Sequence, residues 1–285
     1  MSGESAPFVD DRVLTIRRPR ARVWRPAGNV RELAQYADLL RTLSAHRIRV
    51  RYKQSLLGLA WAILQPVSMM LIFTLVFGRI ARVSTDGVPY SLFAFTGLLL
   101  WSFLATTLNN ATHALVSHAP LVTKVYFPRE ILPLSYVAAA LFDLLVGSVV
   151  LVAMLAWYGQ PVTWRALLVV PVIVTTAMLA AALAFMLSAL QVRFRDIGLA
   201  VPLALYLWMF CTPVAYPLSA VPPRYVVAFR LNPMTGLIET FRGAVLPNHA
   251  GPPLVPVVSA ITAAVLLLAA YALFKRAEAT MADVV

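Results

Sequence analysis

Long stretches without a charged side chain dominate this sequence. Six such windows alternate with short polar segments, and each exceeds the roughly 20 residues that an α-helix needs to cross a hydrocarbon core of about 30 Å. The windows are 54–78, 87–123, 144–164, 166–192, 197–223 and 243–274. They predict an all-α membrane protein with six transmembrane helices, centred near residues 66, 99, 146, 179, 207 and 263.

Residues 29–53 precede the first window and follow a different pattern. Asn29 and Glu32 have the spacing of a helix capping box, and apolar residues then recur at every third or fourth position. These apolar residues are Leu33, Tyr36, Ala37, Leu40 and Leu43. The pattern predicts an amphipathic helix in the membrane interface, which serves either as an anchor or as a functional gate. Residues 1–28 are predicted to form a disordered basic arm, and residues 54–285 the membrane domain.

Composition and charge agree with a membrane protein. Hydrophobic residues make up 60% of the 285 positions and charged residues 13%, whereas soluble domains average about 45–50% and about 25%. The net charge is +12, but half of the basic residues precede the first window, where anionic lipid headgroups explain them more simply than nucleic acid. With the amino terminus inside, cytoplasmic segments would hold 18 basic residues and external segments 6. The positive-inside rule therefore predicts a multi-pass protein of the cytoplasmic (inner) membrane with both termini cytoplasmic.

Two connections are longer than a simple turn requires. Residues 109–133 contain His113 and His118 and enough helix-forming residues for a short cytoplasmic helix, which Pro128 is expected to end. Residues 211–253 are rich in proline and yet apolar. Such segments are typical of re-entrant helices, which are tolerated at membrane depth where protein or a water-filled cavity satisfies the backbone.

Several kinds of chemistry are missing from the sequence. There is no G-x-x-x-x-G-K-[ST] phosphate loop, so the chain is expected to bind no ATP itself. Cys211 is the single cysteine and there is no Cys/His cluster, so a disulfide within the chain and a metal site are not expected. Asp143 is the one ionisable residue within the predicted spans, while Asp86 and Glu239 stand alone outside them. A carboxylate at membrane depth either pairs with a polar group or lines a path.

Aromatic residues divide into two groups. Four lie near the predicted ends of spans and are expected to form an interfacial belt: Trp101, Trp157, Tyr158 and Trp164. Five others could line a passage whose flat ring faces guide sugars, or could simply pack between helices. These channel-lining candidates, to which Asp143 is added, are Phe73, Phe77, Tyr206, Trp208 and Phe210.

Several short motifs follow one another along the chain from the end of the amphipathic helix. The first motif comprises Arg51-Tyr52-Lys53-Gln54-Ser55, Leu57-Gly58, Trp61, Pro66 and Val76-Phe77. The later ones are Lys124-Val-Tyr-Phe-Pro-Arg-Glu130, Arg193-Phe-Arg-Asp196, Pro213-Val-Ala-Tyr-Pro217, Asn232-Pro-Met234 and Phe241-Arg242. In their order over six spans, these motifs resemble the membrane subunit of ABC-2 type exporters of polysaccharide and polyol phosphate, the group that moves O-antigen, capsule and teichoic acid chains. The likeness extends from Asn29 to the end of the chain.

The resemblance implies a homodimer that works with two copies of a separate cytoplasmic ATPase, which carries the ATP and Mg²⁺. It also implies that the amphipathic helix is a lateral gate for a polyprenyl diphosphate-linked glycan and that residues 109–133 hold a coupling helix. The residues expected to contact the ATPase are Lys124, Tyr126, Phe127, Arg129 and Glu130, as an apolar and charged knob. Those expected at the diphosphate are Arg49, Arg51, Lys53 and Ser55, where a helix amino terminus would begin and favour an anion.

Two other functions remain open at this point. An ABC-2 exporter of drugs or small lipids would have the same fold and different cargo, and only the motifs of the polysaccharide group argue against it. A polyprenyl-linked glycosyltransferase or acyltransferase would need an acidic or histidine pair in a loop, for which Asp86 alone is thin support.

Overall fold

The computed structural model describes residues 35–53, 55–85, 87–125, 127–246 and 255–284, and every regular element in this part is a helix. The α-helices are α1 Ala37–Lys53, α2 Ala60–Phe73, α3 Tyr90–Ala111, α4 Ala119–Lys124, α5 Ile131–Trp157, α6 Val169–Arg193, α7 Ile197–Phe210, α8 Pro223–Leu231, α9 Pro233–Val245 and α10 Val255–Val284. A π-helical turn, Thr74–Ile80, continues α2. The disordered arm and the capping box of Asn29 and Glu32 lie outside the described residues.

Five of the described helical segments are long and apolar enough to cross a membrane, which makes the chain a multi-pass membrane protein. They are Ala60–Ile80, Tyr90–Ala111, Ile131–Trp157, Trp164–Arg193 and Pro256–Glu278. The window predicted near residue 207 forms only the 14-residue α7, about 21 Å long at 1.5 Å per residue. The helix ends at Phe210, and two prolines, Pro213 and Pro217, follow it closely. The count of six spans stays a prediction.

Helix α3 forms the centre of the bundle. It packs against α2, α5, α6, α7 and α9, and its largest side chains, such as Phe93, Phe95 and Leu104, are fully buried. The outer helices leave many Leu, Val and Ile side chains exposed, as lipid-facing surfaces require. Trp101 was expected in the interfacial belt, and this prediction is wrong, because the side chain is buried. Trp157 and Trp164 are exposed, in agreement with the expected belt.

The connections gather at two ends of the bundle. We call "tail end" the residues 110–125, 127–130, 193–196 and 275–278, and "hairpin end" the residues 82–85, 87–90, 158–164 and 212–246. At the tail end Arg129 Nη1 donates to the Glu278 carbonyl (2.6 Å). At the hairpin end the Tyr90 hydroxyl donates to the carbonyl of Ala215 (2.5 Å).

The proline-rich segment of the hairpin end folds as the helix pair α8 and α9, joined at Asn232. The Asn232 side chain accepts from the backbone N–H of Met234 (3.1 Å) and from Trp208 Nε1 (3.2 Å), and it donates to Thr212 Oγ1 (2.8 Å). Trp208 also packs edge-on against Trp101, with ring centroids 5.7 Å apart. These contacts bring distant motifs together, while the re-entrant assignment stays a prediction.

A fully buried arginine holds the hairpin end together. Arg242 donates to the carbonyls of Pro213 (2.7 Å) and Val214 (2.6 Å), pairs with Glu239 (3.1 Å) and lies 3.6 Å from the centre of the Phe93 ring. The interpretation of Glu239 as a carboxylate that stands alone is therefore wrong. A buried charge needs such a partner and such carbonyls, because desolvation of an unpaired ion is costly.

Candidate functional site

An ion pair joins α1 to the spanning helix α5. Arg51 Nη1 donates to Asp143 Oδ2, and the Tyr52 hydroxyl donates to Oδ1 of the same carboxylate (2.5 Å). The Arg51 side chain is 33% exposed and that of Asp143 is 18% exposed. Burial and the hydrogen bond to Asp143 raise the pKa of Tyr52 to about 12, so this hydroxyl keeps its proton and donates at neutral pH.

A second arginine fixes α1 one helical turn earlier. Arg47 Nε donates to Ser135 Oγ (2.6 Å), and the guanidinium lies over the Tyr136 ring, 3.4 Å from its centroid. Burial lowers the pKa of Arg47, although the side chain remains charged because arginine titrates so high. The apolar stripe, which the sequence predicts to face lipid, instead packs half-buried against the protein core at Leu40 and Leu43. Arg47 and Arg51, four residues apart, thus form the docked face of α1.

A polar cavity of about 360 Å³ lies between α1, α2, α3 and α5. Its lining residues are Arg51, Tyr52, Trp61, Ala62, Gln65, Pro66, Leu99, Ser102, Phe103, Thr106, Asn109, Asn110, Ala140, Asp143 and Leu144. Asp143 therefore pairs with polar groups, which is one of the two possibilities that the sequence left open, and it also lines this cavity. Its role in lining a path stays a prediction. Polar side chains from three spanning helices converge here, and polar residues in spans mark functional sites by default.

The polar wall from α3 was missed by the sequence analysis. Ser102, Thr106 and Asn109 follow one another at spacings of four and three residues, so they share one face of the helix. This spacing was visible in the sequence. Averaging hydrophobicity over a charge-free window hides it, because these side chains are neutral and the residues between them are strongly apolar.

The four residues expected at the diphosphate do not form one cluster. Arg49 and Lys53 are exposed, whereas Arg51 turns toward Asp143 and Ser55 lies in the turn that follows α1. The prediction that a helix begins at these residues is also wrong, because Lys53 is the last residue of α1 and α2 begins only at Ala60. The basic residues therefore lie at a carboxyl terminus, where cations offset the helix dipole.

None of the five aromatic channel candidates lines the cavity. Phe73 is buried and packs edge-on against Phe77, with ring centroids 5.6 Å apart. Tyr206 and Phe210 are 63% and 56% exposed on α7, and Trp208 is half-buried. The aromatic side chains in the cavity wall are instead Tyr52, Trp61 and Phe103. The channel role of the first five stays a prediction.

The segment expected to couple to an ATPase is partly tied into the chain itself. Phe127 is 5% exposed in the core, so it does not project as a knob. Glu130 is buried and accepts from Lys275 Nζ (2.9 Å), while Arg129 donates to the Glu278 carbonyl. Sequence reasoning did not find these α10 partners, which lie about 145 residues further along the chain.

The exposed part of that segment comes just before Phe127. Lys124 ends the short helix α4, and Val125, extended and 53% exposed, follows it. The expected helix therefore exists but ends four residues before Pro128, because Val125 leaves helical geometry. Tyr126 lies outside the described residues. The coupling role of the segment stays a prediction.

Comparison with known proteins gives consistent results. Residues 38–246 match the family described as ABC-2 type transporter. The chain is 34% identical over 257 residues to the O-antigen export system permease protein RfbA of Myxococcus xanthus, which covers 89% of this chain and 98% of that protein. It is 29% identical over 206 residues to the protein of the same name in Klebsiella pneumoniae, covering 72% and 79%. It is 23% identical over 221 residues to the polysialic acid transport protein KpsM of Escherichia coli, covering 73% and 81%.

Proposed function

The chain belongs to the ABC-2 type transporter family, and from that premise we propose that it is the membrane subunit of an ATP-driven exporter of a lipid-linked polysaccharide. The observation that carries the proposal is the similarity to an O-antigen export permease over 98% of that protein's length. Disrupting the gene should abolish surface polysaccharide while carrier-linked polymer accumulates in the cell. Unchanged surface polysaccharide would refute the proposal, and loss of polymer synthesis itself would favour a glycosyltransferase.

The energy source in this proposal is a second polypeptide. The chain lacks a phosphate loop, so ATP and Mg²⁺ are expected on a cytoplasmic ATPase, present in two copies beside a homodimer of this chain. The exposed Lys124 and Val125 at the tail end are candidates for contact with it. The 12 basic residues of 1–53 support a cytoplasmic amino terminus, and with it a tail end on the cytoplasmic face of the inner membrane.

The basic pair on the exposed face of α1 is proposed to receive the lipid diphosphate. Arg49 and Lys53 are four residues apart, so they share one helix face, and both side chains are exposed. A polyprenyl diphosphate in the inner leaflet would place its charge at such an interfacial helix while its tail stayed in hydrocarbon.

Replacing both residues by Gln tests this role of the basic pair. In cells carrying Arg49→Gln with Lys53→Gln, surface polysaccharide should fall and carrier-linked glycan should accumulate, with topology and expression unchanged. Arg224→Gln with Arg230→Gln is the matched control, because these exposed arginines lie on α8 at the hairpin end. Normal export by a correctly oriented Arg49/Lys53 variant would leave the pair with a role in topology only.

The structure gives little support to the alternative that the chain is a glycosyltransferase or an acyltransferase. Of the candidate catalytic carboxylates, Asp143 is engaged by Arg51 and Tyr52, and Glu239 is paired with Arg242 in the core. Asp86 lies outside the described residues. An exporter of apolar drugs is also a poor match, because the cavity wall carries an ion pair and several amides and hydroxyls.

A further inference from the structure

The two sides of α1 near its carboxyl end differ in what they can bind. Arg47 and Arg51 are already held by α5, while Arg49 and Lys53 lie exposed on another face. Within the cavity the charges of Arg51 and Asp143 offset one another. The cavity therefore favours a neutral ligand, and the exposed pair favours an anion.

The rest of the cavity wall supplies neutral hydrogen-bonding groups beside a flat ring. Among the residues that the structure describes, the side chains of Gln65, Ser102 and Asn109 have no hydrogen-bond partner. Trp61 also lines the cavity, is 50% exposed and offers an indole face. Amides and hydroxyls that accept and donate, together with an aromatic face, are what the hydroxyls and C–H faces of a sugar require.

We propose that this cavity binds a neutral sugar residue of the carrier-linked glycan, the residue nearest the diphosphate. The inference rests on the proposed function, and it assigns different parts of one ligand to the two faces of α1. The diphosphate lies against the exposed pair Arg49 and Lys53, and the first sugar enters the cavity on the docked face.

Two other occupants fit the cavity less well. A phosphate group would meet the carboxylate of Asp143, and Arg51, the one cation among the described residues of the wall, is already paired. A lipid tail would leave the amides of Gln65 and Asn109 without partners, and desolvating polar groups without compensation is unfavourable.

Binding of defined probes tests the assignment. The purified full-length chain in lipid nanodiscs is titrated with farnesyl diphosphate and with farnesyl diphosphate carrying one glucose, galactose, mannose or N-acetylglucosamine. At least one sugar-bearing probe should bind about tenfold more tightly than the bare diphosphate, which is the effect of two neutral hydrogen bonds. Thr106→Val combined with Asn109→Leu should remove this preference and leave the affinity for the bare diphosphate within about twofold.

Matched variants separate the possible outcomes. Thr175→Val repeats the threonine substitution at a partly exposed position on α6 and should keep the preference, while Trp61→Leu should reduce it without touching a hydrogen bond. Arg49→Gln with Lys53→Gln should weaken both kinds of probe by the same factor. Equal binding of all probes by the unmodified chain would overturn the sugar site and leave the proposed function standing. If no probe bound, the result would contradict both the proposed function and the sugar site.

Discussion

The ion pair between Arg51 and Asp143 makes a quantitative prediction about the docking of α1. Its two side chains are 33% and 18% exposed, between a surface pair, worth about 0.2–1 kcal/mol, and an interior pair, whose breaking costs about 3–5 kcal/mol. We expect Arg51→Gln to lower the free energy of unfolding by about 2 kcal/mol, because it leaves a carboxylate in a spanning helix with Tyr52 as its remaining donor.

The partner variant should be milder. Asp143→Asn still accepts the hydrogen bond from Tyr52, and the partly exposed Arg51 can turn toward water, so we expect a loss of about 1 kcal/mol. The double variant should resemble Asp143→Asn alone, which gives a coupling energy of about 2 kcal/mol in a double-mutant cycle.

Equilibrium unfolding of the purified chain in mixed micelles, followed by circular dichroism against the mole fraction of dodecyl sulfate, measures all four proteins. Arg41→Gln serves as the control, because this arginine is exposed and reaches only the exposed Asp38. Equal losses for the two single variants, with an additive double variant, would refute the reasoning.

Three further predictions follow from the same structure. Purified protein should hydrolyse no ATP without a second polypeptide, and turnover by the chain alone in a phosphate-release assay would contradict this. Phe127→Ala should lower the thermal midpoint of unfolding, since truncating a core Phe costs about 3–5 kcal/mol. Val125→Asp should instead leave the midpoint unchanged and reduce co-purification of the ATPase. If Phe127→Ala reduced co-purification without lowering the midpoint, Phe127 would be the projecting knob after all. Arg242→Met should unfold the hairpin end, which would be detected as faster proteolysis there, and Arg230→Gln should not. Equal digestion of the two variants would refute the claim that Arg242 holds the hairpin end together.

The spans were predictable because hydrophobicity along the chain is a local property, and five of the six windows form helices long enough to cross a membrane. The α7 window was not predictable in this way, because its helix ends at contacts that the local sequence does not show. Asn232 forms hydrogen bonds with Trp208 and Thr212, from which it is 24 and 20 residues away. A charge-free window shows that a segment is apolar. It does not show whether the segment continues as one helix.

The site was predictable only in part. The amphipathic pattern of α1 could be read from the sequence. The partner of Arg51 could not, because it lies 92 residues away and nothing local indicates it. Helical periodicity separates Arg49 and Lys53 from Arg51, so the sequence contained the information that these residues face different ways. Treating them as one cluster at a helix start was the error. All three lie in the last turns of α1, and a turn that includes Gly58, with its positive φ, separates them from the start of α2.

Transport itself tests the central proposal most directly. Inverted membrane vesicles that hold this chain and its ATPase partner are loaded with carrier-linked polysaccharide on their outer, formerly cytoplasmic, face. ATP should then make the polysaccharide inaccessible to an added glycosidase, and vesicles without this chain should show no such protection. Protection that is the same without ATP, or without this chain, would contradict the account.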